Sequence, residues 1–560
     1  GVGVRTSAAD TMEAGAGATL TSSPLRAAAR EEISIDAALQ STVGEFGRGQ
    51  QLFYGMAQLI WLPAALLTLL MVFTNLDPLG QGWYLCVPGH EQAELCASAL
   101  NTTDTGEASL LFCQLSEEAW EWTRRADSIV SEWNLVCGEA WKQQAVNTGF
   151  FFGFLLGAGF FGWLSDYAGR KKAIIASGAA AGCAGMLCGT AGGYWTFFLF
   201  RAVTGFGVGG IGMAGYVLGC EFVGPSWRGL LGVAAQYFFA AGCMILPILA
   251  YKVPNWRMLS LLSGGSVLLY LMMMPYIPES PRWQLIQGRK GEATATLAAI
   301  ASYNRTRMPD LPLADVVVTS GTGAGMGDVL AHPVLRGRFA VQIFAWFSVC
   351  CTYYGISLMT ADLPGSVYTT NAMMAAVEVA AYLVSSLLVD RIGRRWTIAG
   401  AYLLAGTSLI LSAITAGPAR LWLALAAKCG AAAAFALILL YAAELFPTVV
   451  RSACIGACSQ AARLGGMATP VIIMIAQAMH FPLLAFLVLG ISSTAAGLLL
   501  LTQPETLGEV LPETLNDVGA PPRAQELKPW RRGSGEGMEE GGAPLTSSPS
   551  YFAGFMRGRG

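Results

Sequence analysis

The chain has 560 residues, of which 54% are hydrophobic and only 12% charged. A soluble domain carries about 25% charged residues, so most of this surface is expected to meet lipid rather than water. The formal net charge of −2 gives a polyanion no purchase, and nucleic acid is excluded as an expected partner.

Residues 1–50 are rich in Ala, Gly, Ser and Thr, with scattered charge, and position 1 is Gly rather than Met. No apolar run follows a basic start, so the stretch reads as a disordered cytosolic tail and not as a signal peptide. The first apolar run that reaches the roughly 20 residues needed to span a bilayer lies at 52–73. A polar segment, 74–143, follows and contains Cys86, Cys96, Cys113 and Cys137. Four cysteines permit three pairings, and the spacing leaves all three open. The same segment holds Asn101-Thr102-Thr103, an N-glycosylation acceptor triplet. Clustered cysteines beside such a triplet suggest an extracellular or lumenal cap stapled by disulfides.

Five further apolar runs occur near 145–164, 173–192, 195–219, 230–251 and 258–277, completing a first bundle over 51–277. Small residues allow close helix contact in membranes, and Gly205-Phe206-Gly207-Val208-Gly209-Gly210 is the clearest case. A polar linker, 278–337, follows, helix-like to about Ser302. Six more runs, near 339–360, 371–389, 397–416, 420–441, 454–478 and 482–502, form a second bundle over 338–502. Residues 503–560 read as a cytosolic C-terminal tail. Arg170, Lys171 and Lys172 join spans two and three, and Arg391, Arg394 and Arg395 join spans eight and nine. Basic residues in short loops stay in the cytosol, which places both termini and the linker inside and segment 74–143 outside.

Three motifs recur in the same order. Gly162-Trp-Leu-Ser-Asp166-Tyr-Ala-Gly169-Arg170 returns as Ser386-Leu-Leu-Val-Asp390-Arg-Ile-Gly393-Arg394. Glu221 and Arg228, seven residues apart, return as Glu444 and Arg451, and Pro278-Glu279-Ser280 returns as Pro504-Glu505-Thr506. The offsets are 224, 223 and 226 residues. Duplicated halves in an apolar chain indicate a secondary transporter. The expected fold is all-α: twelve transmembrane helices in two pseudo-symmetric six-helix bundles. Gly162 and Gly169 are expected to permit close approach at the helix ends. One copy of these charges would read as an inside anchor. Two copies favour gating clamps at Asp166, Arg170, Glu221, Arg228, Asp390, Arg394, Glu444 and Arg451, joined by Glu279 and Arg282 into networks at the inner ends.

A charge inside a span is costly and faces a cavity or a partner. Four stand out: Arg201, Glu378, Lys428 and Arg463. Glu378 and Lys428 each lie about seven residues from the outer end of their spans, roughly 10 Å deep, and are placed to pair. Arg463 falls near the midplane, with room around it supplied by Gly465 and Gly466. Aromatics such as Tyr237 and Tyr354 are candidates to close around an organic body. The bland alternative is a set of pairs and rings that only fix helix register. The sequence has no Gly-rich P-loop with Lys, no metal-spaced His or Cys cluster and no Ser-His-Asp arrangement. No enzyme activity, no cofactor and no resident metal is therefore expected.

The duplicated loop motif and twelve spans resemble the major facilitator superfamily, as does Arg201-Ala-Val-Thr-Gly205-Phe-Gly207. Within it the chain resembles the organic cation/anion/carnitine transporter family. The resemblance rests on Glu132-Trp-Asn-Leu-Val-Cys137, Gly215-Tyr-Val-Leu-Gly-Cys-Glu221, Asn255-Trp256-Arg257, Pro278-Glu-Ser-Pro-Arg-Trp283, Ala376-Val-Glu378-Val, Ala443-Glu444-Leu-Phe-Pro447 and Pro504-Glu-Thr506. It covers roughly residues 50–515. It implies rocking of two bundles around a central site, a monomeric functional unit in a lipid bilayer, and a small organic ion as substrate. A basic residue at Arg463 resembles the anion and carnitine branches, as does Lys428. Glu378 resembles the cation and carnitine branches. Gly212 stands where cation transporters often carry a large aromatic. One acid and two bases suit a carnitine- or betaine-like zwitterion first, an organic anion second and an organic cation third. Arg463 would hold a carboxylate, and Glu378 an ammonium or a coupling cation, Na⁺ or H⁺. The clamps would stabilise the outward-facing state. The plasma membrane is the expected location, with a vacuolar membrane as the alternative. A non-transporting receptor on the same fold is the opposing class.

Overall fold

The computed structural model describes residues 32–102, 105–314, 325–479, 481, 483–509 and 511–518. Twelve long helices carry the fold. The first half supplies α1 (Arg48–Thr74), α2 (Trp141–Ala168), α3 (Arg170–Cys188), α4 (Tyr194–Glu221), α5 (Pro225–Lys252) and α6 (Trp256–Leu271). The second supplies α7 (Pro333–Leu358), α8 (Val367–Ile392), α9 (Arg394–Ile414), α10 (Pro418–Leu445), α11 (Thr448–Ala478) and α12 (Leu483–Leu500). Among the described residues, eleven of them are long and apolar enough to cross a membrane. The exception, α3, opens with Arg170-Lys171-Lys172 and is otherwise dominated by Gly and Ala, yet it packs along α4 and α6.

Glycine decides how tightly α4 fits. A side chain at Gly205 or Gly209 would run into the backbone of α2, and one at Gly153 or Gly157 of α2 would run into the backbone of α4. A side chain at Gly207 would strike α3 near Ser177 and Ala181. One small-residue helix is thus wedged between two others, the close contact that membrane helices use in place of a hydrophobic drive. The same device joins α7 to α11 at Gly465 and α9 to α10 at Gly430. Across the bundle boundary α2 packs on α11, and α5 on α8.

The loop between α1 and α2 forms a cap with its own core. Two short strands, β1 (Tyr84–Cys86) and β2 (Trp120–Trp122), pair antiparallel, Tyr84 opposite Trp122. Disulfides Cys86–Cys96 and Cys113–Cys137 select one of the three pairings that the sequence leaves open. Glu132 fastens the cap to α6. It accepts from Trp256 Nε1 at 2.6 Å and pairs with Arg257 at 2.5 Å, while Arg257 also donates to the carbonyls of Gly189 and Ala191. Asn101 is exposed at the end of helix Ala93–Asn101, and Thr103 of its triplet lies outside the described residues.

The expected N-terminal tail is shorter than residue 50. Residues 1–31 lie outside the described residues, but from Ile33 the chain is ordered on the N-bundle. Ile33 bridges to Leu313, Ser34 caps helix Ile35–Ala38, and Ile35, Leu39 and Val43 are buried. Alternating small apolar and polar residues hid this: the segment folds by docking, on linker helix Lys290–Asn304, whose Asn304 side chain bonds Val43 O, Gln50 and the Gly49 amide. The C-terminal tail is likewise part of the fold as far as it is described. The Thr448 amide donates to Pro512 O, and Val518 is buried in the C-bundle core.

Candidate functional site

We refer to the two ends of the molecule as the loop side, under the disulfide cap, and the linker side. In the loop-side half of the C-bundle, Lys428 of α10 and Glu378 of α8 form an ion pair at 2.8 Å, with both side chains almost wholly buried. Tyr353 of α7 donates its hydroxyl to Glu378 Oε1 at 2.9 Å. Lys428 Nζ donates to Ser357 Oγ at 2.7 Å and lies 3.3 Å from the centre of the Tyr353 ring. Glu378 Oε2 has no partner. The pairing expected from equal depth is present. Its consequence departs from the expectation that Glu378 waits for an ammonium or a coupling cation: the carboxylate already has a cation of its own.

Arg463 of α11 differs in kind. Its Nη1 donates to Ser459 O and Oγ, its Nη2 reaches Met213 Sδ of α4 at 3.4 Å, and its guanidinium lies 5.3 Å from the Phe154 ring of α2. Its Nε is buried without a partner. Its titratable neighbours are the Cys350 thiol and the Tyr354 phenol. Among the described residues no carboxylate pairs with it. Among the described residues Arg463 is therefore a cation without a carboxylate, halfway along α11 and reaching across the bundle boundary, a costly arrangement for a charge inside a span.

Tyr354 of α7 sits beside it and touches the N-bundle core, the C-bundle core and the cluster that joins the two bundles. It meets Phe151 edge-on at 4.8 Å and Tyr353 at 5.3 Å, which links the Arg463 region to the ion pair. Tyr237 of α5 meets Tyr382 of α8 at 5.8 Å, again across the boundary. Arg201 stands apart from these residues. It is buried in the N-bundle on the Phe150 ring, 4.3 Å from its centre, and its three guanidinium nitrogens have no hydrogen-bond partner. Two contributors escaped the sequence reading. Trp61 of α1 fills the space over Gly212, where an added Cβ would lie 3.1 Å from the ring, so the aromatic comes from α1 rather than α4. Phe154 faces Arg463. Nothing in spacing separates these rings from the many others in the spans.

At the linker side the duplicated motif builds the same bracket twice. Arg170 pairs with Asp166 at 3.0 Å and with Glu221 at 3.1 Å, and Glu279 accepts the backbone N–H of Arg170 at 3.0 Å and of Lys171 at 3.2 Å. Arg394 pairs with Asp390 and Glu444, each at 3.1 Å, and Glu505 accepts the N–H of Arg394 at 2.7 Å and of Arg395 at 3.1 Å. Each acid caps the positive end of a helix. Gly169 and Gly393 make this possible: both have φ near +107°, at +108° and +106°, and a side chain at either would collide with the capping carboxylate. Gly162 plays no such part, since a Cβ there meets nothing within 4 Å. Burial pushes the Glu279 carboxyl above its usual range, against three backbone donors and Arg170. At Glu505 burial is again the largest single effect and raises, but four backbone N–H groups together outweigh it and hold the carboxyl below its usual range.

Glu221 and Glu444 enter the expected networks through Arg170 and Arg394, not through Arg228 and Arg451. The chain reverses between Glu221 and Arg228 and between Glu444 and Arg451, and each of the latter turns back to a carbonyl at the preceding helix end, Arg228 to Val223 at 3.2 Å and Arg451 to Phe446 at 3.1 Å. Arg228 and Arg282 both pair with Asp36 of the N-terminal segment, so the networks close through a residue assigned to the tail. Every described ion pair at this side lies within one bundle and its flanking segments. The brackets are complete while the loop side is closed. There, Phe73 of α1 stacks on Tyr368 of α8 at 5.6 Å, Tyr251 of α5 meets Tyr368 at 5.6 Å, and Leu76, Met359, Leu363 and Val367 are buried in one cluster drawn from both halves. The clamps are thus braces of each bundle rather than ties peculiar to an outward-facing state.

Two acids flank that seal, Asp77 after α1 and Asp362 after α7. Solvent reaches Asp362, yet surrounding protein pushes its carboxyl up to about 6, with Asp77 adding repulsion and Arg420 opposing. Asp77, also reached by solvent, is likewise pushed up by the protein around it, against the amides of Leu79 and Gly80.

Comparison with known proteins agrees with this architecture. The family described as "Sugar (and other) transporter" matches residues 137–516. The chain is 33% identical over 502 residues to "Organic cation/carnitine transporter 4" of Arabidopsis thaliana, spanning 87% of this chain and 91% of that one. It is 34% identical over 425 residues to "Solute carrier family 22 member 13" of Homo sapiens, spanning 74% and 76%. Among solved structures, the inward-open xylose transporter XylE from E. coli superposes with a TM-score of 0.58 at 16% identity, covering 82% of this chain and 98% of that one. At that identity the likeness speaks for the fold alone.

Proposed function

From the premise that the chain belongs to the major facilitator superfamily, and within it to the organic cation/anion/carnitine transporter family, we propose that this multi-pass membrane protein carries a small organic ion bearing a carboxylate. A secondary transporter follows from the family and the fold. The finer reading rests on one observation: Arg463 reaches from α11 to α2 and α4 with no acid among the described residues to neutralise it. A substrate carboxylate there would be held by a charge-assisted, two-pronged bond and would engage both bundles at once. Its body lies against Tyr354, Phe154 and Trp61.

A carnitine- or betaine-like zwitterion is the first choice, its ammonium over the aromatic faces rather than on a free Glu378. A plain organic anion is the second, favoured because Lys428 already neutralises Glu378 and leaves one net positive charge. An organic cation fits least. Na⁺ or H⁺ is the coupling ion to test, and the plasma membrane the location, with a vacuolar membrane as the alternative.

The test is uptake into proteoliposomes of labelled carnitine, a small organic anion and tetraethylammonium, with and without Na⁺ and pH gradients. Removing one partner of a buried charge pair costs at least about 2 kcal/mol, so Arg463→Ala should weaken carboxylate uptake about 30-fold or more at normal surface expression. Arg463→Lys should recover part of it. Unchanged carboxylate uptake in Arg463→Ala sinks the site. Tetraethylammonium as the sole substrate sinks the substrate class, and well-folded protein that moves none of the three is a receptor.

A further inference from the structure

The C-bundle carries an open cavity of mixed apolar and basic lining at the linker side, away from Arg463. It is a space of about 580 Å³ between the start of α7, the start of α9 and the chain just after α12. Arg338 of α7 and Arg395 of α9 both line it. Among the described residues Arg338 has no acid partner, and its titratable neighbour is Tyr441, whose hydroxyl is committed to Pro504 O at 2.7 Å. Arg395 donates Nη1 to Gln503 O at 3.3 Å, but its Nε is buried without a partner. Among the described residues no carboxylate forms an ion pair with the Arg395 guanidinium, and Glu505 accepts instead from the backbone N–H groups of Arg394, Arg395 and Thr506. Gln503 also lines the cavity. It is only 5% exposed, and its Oε1 has no partner. Turned over, the same amide presents its NH₂ instead.

Two guanidinium groups and an idle buried amide facing one space suit an acceptor-rich dianion or monoanion such as a phosphate, and guanidinium is well shaped for phosphate oxygens. The level of the site says where that phosphate comes from. Trp396 follows Arg395, stacks under its guanidinium at 4.8 Å and is 53% exposed. An exposed tryptophan at a helix end with a basic neighbour belongs to the membrane–water boundary, where headgroups lie. We propose that this cavity holds the phosphate of an anionic membrane lipid, which bridges α7 to α9 and the end of α12 beside the Arg394 bracket. The lipid ties three elements of the C-bundle that no described ion pair joins.

The experiment uses the purified full chain in an uncharged detergent and follows thermal unfolding. Short-chain phosphatidylglycerol, phosphatidylcholine and sodium phosphate are titrated in separate arms. Arg338→Gln is the main variant, since Arg338 has no acid partner among the described residues. Arg395→Gln is the second, and Arg289→Gln, a basic residue outside the cavity on the same side, is the control. Phosphatidylglycerol should raise the unfolding temperature of the parent and of Arg289→Gln, and phosphatidylcholine should not. The apparent affinity should fall about fivefold for each cavity arginine removed. Stabilisation by sodium phosphate at least as strong as by the lipid would overturn the lipid source and assign the cavity to a soluble phosphate. An equal response to both lipids, or an undiminished response in Arg338→Gln that unfolds at the parent temperature without lipid, would overturn the site. If Arg338→Gln does not fold, Arg395→Gln decides on the same readout.

Discussion

Lys428 and Glu378 show what a single buried charge requires. Each is nearly inaccessible, and each is tolerable only because the other lies 2.8 Å away with Tyr353 and Ser357 completing the set. Breaking such a pair from one side strands a charge and costs about 3–5 kcal/mol, whereas removing both sides is close to neutral. Lys428→Met alone and Glu378→Gln alone should therefore lower thermal stability sharply, and the double variant should recover most of it. Single and double variants equally destabilised would show that the pair contributes packing rather than charge. The sequence made this pairing legible because both residues lie at one depth in their spans. Arg463 was legible for the same reason, as a charge where charges are expensive. Trp61 and Phe154 were not, because rings in apolar helices carry no mark of the face they turn to the site.

At the scale of elements, the two brackets test how far a repeated motif means a repeated geometry. Gly169 and Gly393 adopt the left-handed backbone that admits Glu279 and Glu505. A residue with a Cβ pays about 1–2 kcal/mol for that backbone before any collision. Gly169→Ala and Gly393→Ala should each lower both unfolding temperature and transport, while Gly162→Ala in the same motif should leave both unchanged. A tolerated Gly169→Ala would mean that Glu279 gives way without loss. The motif announced these contacts by recurring. It left the partners inside each network open, and the break between two helices turns Arg228 and Arg451 back to a carbonyl at the preceding helix end.

The whole molecule is held closed at the loop side by apolar contacts from both halves, flanked by Asp77 and Asp362. The sign of their pH response follows from Asp362, whose carboxyl is raised to about 6 in this closed arrangement. A raised carboxyl binds its proton more tightly here than in a state where the two acids separate into water with pKa near 3.9. Closure is thus favoured below about pH 4, where both arrangements are protonated, and the advantage is lost as pH rises through about 6. Spin labels at the loop-side ends of α1 and α7 should report a larger closed population at pH 5 than at pH 7.5. Asp362→Asn should abolish the difference, and a parent protein insensitive to pH would refute the assignment.

By itself the sequence determined the membrane class, the two six-helix halves and the identity of the charges that the spans must shelter. Those properties follow from local composition and from repetition, which a chain displays without being folded. Tertiary structure alone decided which cysteines join and that residues 33–50 belong to the fold. It also decided that Asp36 answers Arg228, and that Arg463 reaches across the bundle boundary with no carboxylate beside it among the described residues. Each of these depends on which distant segments come within about 3 Å of one another, and charge pairing is settled at that range by the path of the backbone, not by distance along the chain.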